Sequence, residues 1–217
     1  MADPISHDDA PTSLAEKAYQ ILLERLLTKK LVPGMLINRR TLSGELGMSV
    51  APVLEAIIQL QAEGFLETIP RRGTLVRAVH LSNLRGQMLL REALECEAAR
   101  FYCGAPVAAA ADTLRALGEA TDISEGRTLV ELWKAEYAFH TALVKLANCE
   151  ALTEAFAKVM QRKIFSAAHL LLSGEAFGGG NHVALVKKLQ TKDPDQAERL
   201  IREHLRYKKE KLFERMG

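Results

Sequence analysis

The sequence predicts a mainly α protein in which a small mixed domain precedes an all-helical bundle. In the first third of the chain, helical apolar periodicity gives way to two short β-prone runs around a turn. In the remainder, Ala and Leu dominate and helical periodicity persists nearly to the end. The 217 residues are 48% hydrophobic and 26% charged, a composition that supports two folded domains. We expect these at 12–76 and 83–217, with a disordered leader at 1–11 and a linker at 77–82.

The first domain is predicted to begin with three helices. Ser13 and Glu16 have the spacing of a capping box, which satisfies two backbone amides at a helix start. This first segment ends at Pro33-Gly34, a pair that favours a turn. A second helix is expected at about 39–46 and a third at about 49–64, with a tight glycine turn between them.

A hairpin is predicted after the third helix. The β-prone runs 65–69 and 74–76 flank Pro70-Arg71-Arg72-Gly73, whose residue types favour a turn. Three helices followed by a small hairpin are the pattern of a winged helix-turn-helix. In that pattern the third helix can enter the major groove of DNA, and a basic turn can lie along the phosphates or the minor groove.

Six helices are predicted in the second domain, separated by breakers such as Gly104-Ala105-Pro106 and Asp193-Pro194. They are expected at about 83–103, 106–121, 128–147, 150–172, 182–191 and 194–215. The run Gly178-Gly179-Gly180 is interpreted as a flexible connection between helices. A phosphate-cradling loop is not expected there, since no strand precedes the run and no GK[ST] motif follows it.

Composition excludes several classes of protein. No run of 18 apolar residues is present, so we expect no membrane span, and the acidic, polar N-terminus lacks the features of a signal peptide. Cys96, Cys103 and Cys149 are an odd number without CxxC spacing, which indicates reduced core thiols in a cytoplasmic protein. The formal net charge of +2 excludes a strongly basic chain but not a local basic site.

A series of motifs lies in order between residues 19 and 76. The series comprises Tyr19, Ile21, Leu31, Pro33-Gly34, Leu36, Leu42, Leu46-Gly47-Met48-Ser49, Pro52-Val53, Glu55-Ala56-Ile57, Leu60, Glu63-Gly64-Phe65-Leu66 and Arg71-Arg72-Gly73-Thr74-x-Val76. It resembles the DNA-binding domain of the GntR family of bacterial transcription regulators. The resemblance implies a homodimer that binds a palindromic or pseudo-palindromic double-stranded DNA operator, because two-fold protein symmetry mirrors the site.

Basic residues and the starts of two helices supply the candidate DNA contacts. Arg40 matches a family arginine that contacts DNA, whereas Arg39 stands at a position that is often acidic. From residue 12 to 77 the chain has nine Lys or Arg and six Asp or Glu, so this domain carries only +3. The candidate contacts are Arg39, Arg40, Thr41, Ser49, Val50, Arg71, Arg72 and Gly73.

The start of the predicted recognition helix departs from the family pattern. Family members usually read Ser-Arg-x-Pro-Val-Arg-Glu-Ala, whereas this chain has Val50 and Leu54 in place of both arginines. Arginine gives bidentate base contacts or strong phosphate contacts that Val and Leu cannot give. Three interpretations follow: apolar contacts to thymine methyls, weakened DNA binding that leaves a sensor or interaction protein, or arginines that are only solvated surface charges.

Four side chains in the second domain are candidate metal ligands. Glu136 and His140 are four residues apart, so both project from one face of a predicted helix. His182 and His204 lie on the last two predicted helices. Nitrogen and oxygen ligands of this kind suit Zn, Ni, Mn or Fe. Taken singly, each histidine is more often a surface or core residue than a ligand.

A second series of motifs lies between residues 84 and 208. It comprises Arg91-x-x-Leu94-Glu95, Glu136-x-x-Phe139-His140, Ala147-Asn148, His182-x-x-Leu185-Val186-x-x-Leu189, Asp193-x-x-x-Ala197 and His204-Leu205. It resembles the FCD effector domain of the FadR branch of GntR regulators. The resemblance implies that Glu136, His140, His182 and His204 bind a divalent metal, with Glu136 in place of the usual Asp.

The same resemblance implies a ligand-responsive regulator, commonly a repressor, that binds a small organic acid. Arg91 is a candidate contact for the acid, and an ion pair with Glu95 on the helix surface is an equal alternative. A metal-dependent hydrolase remains as a third function, since a bound metal can activate water, but no motif supplies the free general base. Nucleophilic triads, Walker loops and dinucleotide fingerprints are absent from the sequence, so we do not expect an enzyme.

Overall fold

The chain folds into two units that divide between Arg77 and Ala78. The computed structural model describes residues 13–123, 126–170 and 181–214. The leader expected at 1–11 and the glycine connection expected at 178–180 lie outside these residues.

Capping residues set the helix boundaries in the first unit. The side chain of Ser13 accepts a hydrogen bond from the Glu16 amide at 3.0 Å, which is one half of the expected capping box. The Glu16 carboxylate instead accepts a hydrogen bond from the Gln20 side chain. Gly47 adopts a left-handed conformation (φ 62°) after the second helix, which allows the tight turn into the third. The three helices are α1 (Leu14–Leu27), α2 (Arg39–Leu46) and α3 (Val50–Ala62).

A three-stranded antiparallel sheet completes the first unit, with the strand order β1-β3-β2. The strands are β1 (Leu36–Ile37), β2 (Leu66–Ile69) and β3 (Gly73–Val76). The predicted hairpin is β2 and β3, whereas the sequence does not predict β1. Two residues are too few to show an alternating pattern, and β1 forms because Leu36 pairs with Leu75 of β3.

Packing between α1 and α3 fixes the position of α3 in the first unit. The Tyr19 hydroxyl on α1 donates a hydrogen bond to Glu63 at 2.8 Å, at the end of α3. The largest fully buried side chains of the unit are Leu22, Leu26, Leu27, Ile57, Leu60, Phe65 and Leu66. The opposite face of α3, which includes Val50 and Ile58, is left exposed.

Seven helices form the second unit in the part of the chain that the structure describes. They are α4 (Leu81–Tyr102), α5 (Ala105–Ala109), α6 (Ala111–Asp122), α7 (Leu129–Lys145), α8 (Glu150–Leu170), α9 (His182–Lys188) and α10 (Pro194–Glu214). The single helix expected at 106–121 is divided, because Ala110 leaves helical geometry (φ −96°, ψ 8°) between α5 and α6. A run of alanines carries no breaking signal, so the sequence does not reveal this division.

Helix α4 packs against α7, α8 and α10, and α6 packs against α7 and α9. Apolar side chains from these helices form one continuous core, whose largest members include Tyr102, Leu114, Phe139 and Phe156. Several charged or polar side chains are also buried in this unit. They are Arg91, Glu92, Glu95, Thr121, Glu136, His140, Ser166 and His182. Such groups are stable inside a protein only when they are paired, so their contacts locate the candidate site.

Thiol burial and helix length bear on two expectations drawn from composition. Cys96 is buried and Cys103 is half-buried, but Cys149 is exposed just before α8, so the expectation of a core thiol is wrong there.

Among the described helices, no single one is both long and apolar enough to cross a membrane. Only α2 and α3 taken together, bent by 117°, reach that length and apolarity.

Replacing Ile57 by Ala should lower the free energy of unfolding of the first unit by about 2–5 kcal/mol, because this side chain is 1% exposed in the core. Urea unfolding followed by circular dichroism measures the loss. Ile58→Ala is the matched control, since Ile58 is 55% exposed and its truncation should cost less than about 0.5 kcal/mol. Equal losses for the two variants would contradict the burial of this face of α3.

Candidate functional site

Three histidines from three helices converge in the second unit. His140 lies on α7, His182 is the first residue of α9 and His204 lies on α10. Each offers a ring nitrogen within 4.8 Å of the others, and His140 and His182 are fully buried. Spacings of this size allow one ion to contact all three rings after small side-chain adjustments.

A carboxylate holds one ring nitrogen of each buried histidine. Nδ1 of His140 lies 2.5 Å from Oε2 of Glu95 on α4. Nδ1 of His182 lies 2.5 Å from Oδ1 of Asp122 at the end of α6, and the backbone amide of His182 donates to the same carboxylate at 3.0 Å. Carboxylate partners of this kind place the ring proton on Nδ1 and leave Nε2 as the electron-pair donor.

Glu136 lies beside the two remaining nitrogens. Its Oε2 is 3.5 Å from Nε2 of His140, and its Oε1 is 3.4 Å from Nε2 of His182. Within the described residues, the buried Nε2 of His140 makes no hydrogen bond. Imidazole nitrogens and one carboxylate around a buried acceptor nitrogen form a donor set that fits a divalent transition metal.

Local electrostatics hold Glu95 ionised and His140 neutral. Burial alone would raise the pKa of Glu95, but Arg91 and then His140 lower that pKa to about 2. Burial is also the main cause that lowers the pKa of His140 below its usual value, and it outweighs the opposing effect of Glu95. A neutral imidazole is the form that binds a metal, so the site needs no deprotonation of His140 at neutral pH.

Arg91 pairs with Glu95 on α4, but the pair is buried, so the expectation of an ion pair on the helix surface is wrong in its location. The Nε of Arg91 donates to Oε1 of Glu95 at 2.5 Å. Its Nη2 is buried and has no hydrogen-bond partner among the described residues. The ion pair therefore uses one edge of the guanidinium and leaves a second donor available to another anion.

Other buried polar atoms on α4 and α7 also lack hydrogen bonds within the described part of the chain. They are Oε1 of Gln87, Nε1 of Trp133 and Oγ1 of Thr141. Gln87 and Arg91 are four residues apart on one face of α4, and Trp133 and His140 are seven apart on one face of α7. Buried polar atoms are nearly always paired in native proteins, so such a group indicates a place where a polar ligand or water binds.

Sequence reasoning missed the two carboxylates and a glycine that position the histidines. Glu95 and His140 are 45 residues apart, and Asp122 and His182 are 60 apart, so spacing gives no signal of either contact. Gly118 lies one turn before Asp122 on α6. A Cβ built there would lie 3.2 Å from Cβ of His182 and 3.2 Å from the backbone nitrogen of Val183. The absence of a side chain at Gly118 lets the start of α9 approach α6 this closely.

An open cleft of about 470 Å³ lies on the first unit. Its lining includes five of the eight predicted DNA contacts, namely Arg39, Arg40, Val50, Arg72 and Gly73. The other three, Thr41, Ser49 and Arg71, are exposed outside the lining of this cleft. The first turn of α2, the first turn of α3 and the turn between β2 and β3 thus meet at one surface.

The four arginines of this surface are exposed, and none forms a salt bridge with an acid of the described chain. Two of them, Arg71 and Arg72, lie in the turn between β2 and β3, where Arg71 has a positive φ of 64°. Helix α3 itself, Val50–Ala62, contains no Arg or Lys. Positive charge therefore flanks α3 instead of lying on it.

Comparison with known proteins bears on both units. Residues 88–207 match the model of the FCD domain, and residues 14–76 match the model described as bacterial regulatory proteins, gntR family. The chain belongs to the GntR family. It is a GntR-family transcription regulator with an N-terminal helix-turn-helix and a C-terminal helical FCD domain.

Several relatives of this GntR regulator are named as transcription regulators. It is 25% identical to the HTH-type transcriptional repressor RspR of Escherichia coli (strain K12) over 195 residues, which cover 88% of the chain and 85% of the relative. It is 32% identical to the Nta operon transcriptional regulator of Aminobacter aminovorans over 138 residues, or 62% and 64% of the two chains. The solved structure of E. coli McbR/YncC has the same fold, with a TM-score of 0.68 at 21% identity over 94% and 99% of the chains.

Gly118→Ala should destabilise the second unit of the GntR regulator by about 1–3 kcal/mol, because the new methyl group meets the backbone at the start of α9. Trp133, the single tryptophan, is buried in this unit and reports its unfolding by fluorescence in urea. Gly86→Ala on α4 is the control, since open space surrounds that position and the change should stabilise the helix by up to about 1 kcal/mol. Similar stabilisation by both substitutions would contradict the close approach of α6 and α9.

Proposed function

We propose that this GntR regulator is a ligand-responsive DNA-binding repressor whose FCD domain binds a divalent metal ion and a small organic acid. The observation that carries the proposal is the pair of carboxylate contacts at His140 and His182. These contacts occupy both Nδ1 atoms and leave both Nε2 atoms beside Glu136. This is the arrangement in which proteins orient histidines toward a metal.

His140, His182, His204 and Glu136 would hold the ion, with Zn, Ni, Mn and Fe as the candidates. Glu95 and Asp122 fix the ring orientations of two ligands. When bound, the ion supplies a concentrated positive charge that can receive a carboxylate oxygen. FCD domains often bind metal, which supports the assignment.

Arg91 supports a small organic acid as the effector. Its buried Nη2 can donate a charge-assisted hydrogen bond to a carboxylate, and such bonds are roughly twice as strong as neutral ones. Glu95 contacts both Arg91 and His140, so the arginine proposed to bind the acid and the histidine proposed to bind the metal share one carboxylate. An acid that bridges the ion and Arg91 would therefore act on α4 and α7 together.

The surface on the first unit supports DNA as the partner. Arg39, Arg40, Arg71 and Arg72 would contact phosphates on either side of the groove that receives α3. Thr41, Ser49 and Gly73 would bring a hydroxyl or the backbone close to the duplex. Val50, at the start of α3, would lie against the base edges.

We further propose that the regulator is a cytoplasmic homodimer bound to two half-sites. A two-fold dimer matches a pseudo-palindromic operator. Leu90 and Phe101 are three turns apart on one face of α4 and are both more than half exposed, which supports an interface on that helix. RspR is named a repressor, and this supports the sign of regulation.

Linkage explains how the effector would control DNA binding. A ligand shifts an equilibrium only by its differential affinity for two states. Binding of the acid among α4, α7 and α9 would favour one arrangement of the two DNA-binding domains. The segment 77–80 would transmit the shift, since residues 81 and 82 of the expected linker belong to α4. Release of the operator by the acid is the expected outcome for a repressor.

The contacts of the acids favour this sensor over a metal-dependent hydrolase. Glu95 pairs with Arg91 and His140, Asp122 pairs with His182, and Glu136 contacts two histidines. Glu92 pairs with two arginines of α10. A hydrolase needs a carboxylate that is available to take a proton from water, and these four are engaged in positioning contacts.

Arg40→Ala should weaken binding to a DNA duplex that carries the upstream region of the gene, and should reduce the salt slope of the affinity by about one. Fluorescence anisotropy at several salt concentrations measures both quantities. Arg115→Ala, an exposed arginine on α6, is the control and should leave both unchanged. If the wild type shows no salt-dependent, sequence-preferring binding, the alternative of a sensor with weak DNA binding is favoured.

Asp122→Asn should weaken zinc binding by about 10–100-fold, because Asp122 orients the ring and the backbone of His182. Titration calorimetry of chelator-treated protein with zinc measures the affinity. Asp112→Asn changes a nearly fully exposed acid on the same helix and should have no effect. His140→Ala should lose the high-affinity site altogether, and retention of zinc by that variant would contradict the proposed ligands.

A dicarboxylate that binds the site should raise the melting temperature of the zinc-loaded wild type by about 5–10 °C at a hundredfold excess over Kd. Arg91→Lys should lose most of this shift, because lysine cannot keep the Glu95 contact and also present Nη2. Arg85→Lys, at an exposed position on α4, should retain it. A screen of mono- and dicarboxylates in which no compound shifts the wild type would contradict an organic acid effector.

A further inference from the structure

The exposed face of α3 is apolar where a DNA-reading helix begins. Val50 is the first residue of the helix and is 43% exposed, Ala51 beside it is exposed, and Leu54 one turn later is half-buried. Helix α3 has no basic residue. Its later glutamines are engaged, since Gln59 bonds to Glu63 and Gln61 donates to Thr68.

The surroundings of Val50 indicate a nucleic acid as the occupant of this face. Val50 lines the same cleft as Arg39, Arg40 and Arg72. Leu36 and Ile37 are further apolar members of this lining, and the arginines beside them form no salt bridge within the described chain. Such a mixed lining does not suit an apolar protein surface, because the arginines would lose their hydration without gaining partners. A duplex meets both demands, since its phosphates flank a groove whose floor carries the base edges.

One base offers an apolar group in the major groove. Thymine presents its C5-methyl there, whereas guanine, adenine and cytosine present hydrogen-bonding atoms that Val and Leu cannot satisfy. We infer that Val50 of this regulator recognises thymine methyl groups by apolar contact, and that Leu54 contributes to the same contact. The surrounding arginines fix the position of the protein on the DNA. The inference rests on the proposed DNA-binding function and names the base chemistry that the recognition helix selects.

Positioning on the DNA and base discrimination are carried out by different residues of this surface. Arg39, Arg40, Arg71 and Arg72 contact phosphates and carry no sequence information directly. Val50 discriminates by burying a methyl group, and such a contact changes affinity by about fourfold for each methyl. Operator half-sites therefore contain thymine at the positions that face the first turn of α3.

The test removes the methyl group from the DNA without altering base pairing. A high-affinity duplex is first selected from a randomised pool with the purified full chain. Each dT of the selected half-site is then replaced singly by dU, and Kd is measured by fluorescence anisotropy for the wild type, Val50→Ala and Val32→Ala. Val32 is 45% exposed in the turn after α1 and does not line the cleft, so it is a control with the same side chain and exposure.

We expect one or two dU substitutions to weaken wild-type binding by about fourfold each. The same duplexes should differ by less than about twofold for Val50→Ala, whereas Val32→Ala should keep the wild-type difference. If the selected duplex is preferred over random DNA but no dU substitution changes Kd, methyl readout is wrong and the DNA-binding function stands. If Val50→Ala keeps the wild-type difference in Kd between dT and dU duplexes, another residue contacts the methyl group and the assignment to Val50 is wrong. If no sequence is preferred over random DNA, both the inference and the proposed DNA-binding function fail.

Discussion

Two carboxylates, the buried Glu95 and the half-buried Asp122, determine how the histidines of the FCD domain are oriented. An ionised carboxylate inside a protein costs on the order of several kcal/mol unless it is paired and hydrogen-bonded. Glu95 meets this demand with Arg91 and His140, whereas Asp122, which is 27% exposed, accepts hydrogen bonds from the ring and backbone of His182. These contacts join α4 to α7 and α6 to α9. The position of each helix therefore depends on the same interactions that orient the candidate metal ligands.

The two units of the regulator satisfy their polar groups in different ways. In the first unit an apolar core between α1 and α3 holds a helix whose outer face is apolar and flanked by exposed arginines. In the second unit polar groups enter the core itself, and atoms of Gln87, Arg91, Trp133 and Thr141 stay without hydrogen bonds in the described chain. A ligand whose polar atoms form hydrogen bonds with these groups would strengthen such a network. This property suits a domain that responds to a ligand.

Local patterns allowed much of the fold to be predicted from the sequence. The capping pair at Ser13 and Glu16, the turn at Gly47 and the hairpin around Arg71 are encoded within a few residues of one another. Strand β1 is not predictable from the sequence, because two residues are too few to show an alternating apolar pattern. The strand forms only through its pairing with β3. The division between α5 and α6 at Ala110 is not predictable either, because alanine neither starts nor stops a helix.

The candidate site was predictable only where it is local or resembles a family motif. Glu136 and His140 share a helix face, so their proximity follows from spacing. His182 and His204 are candidate ligands by residue type and helix position, and the family resemblance implies that they join the same site. Glu95 and Asp122 act across 45 and 60 residues, and only the packed helices reveal them. The central claim is that these two acids aim Nε2 of His140 and His182 at one metal ion. Anomalous diffraction from crystals of the zinc-loaded full chain tests it directly. We predict one peak at about 2.0–2.1 Å from both Nε2 atoms, with Glu95 and Asp122 still on Nδ1, and a peak bound through Nδ1 or away from these rings would contradict the account.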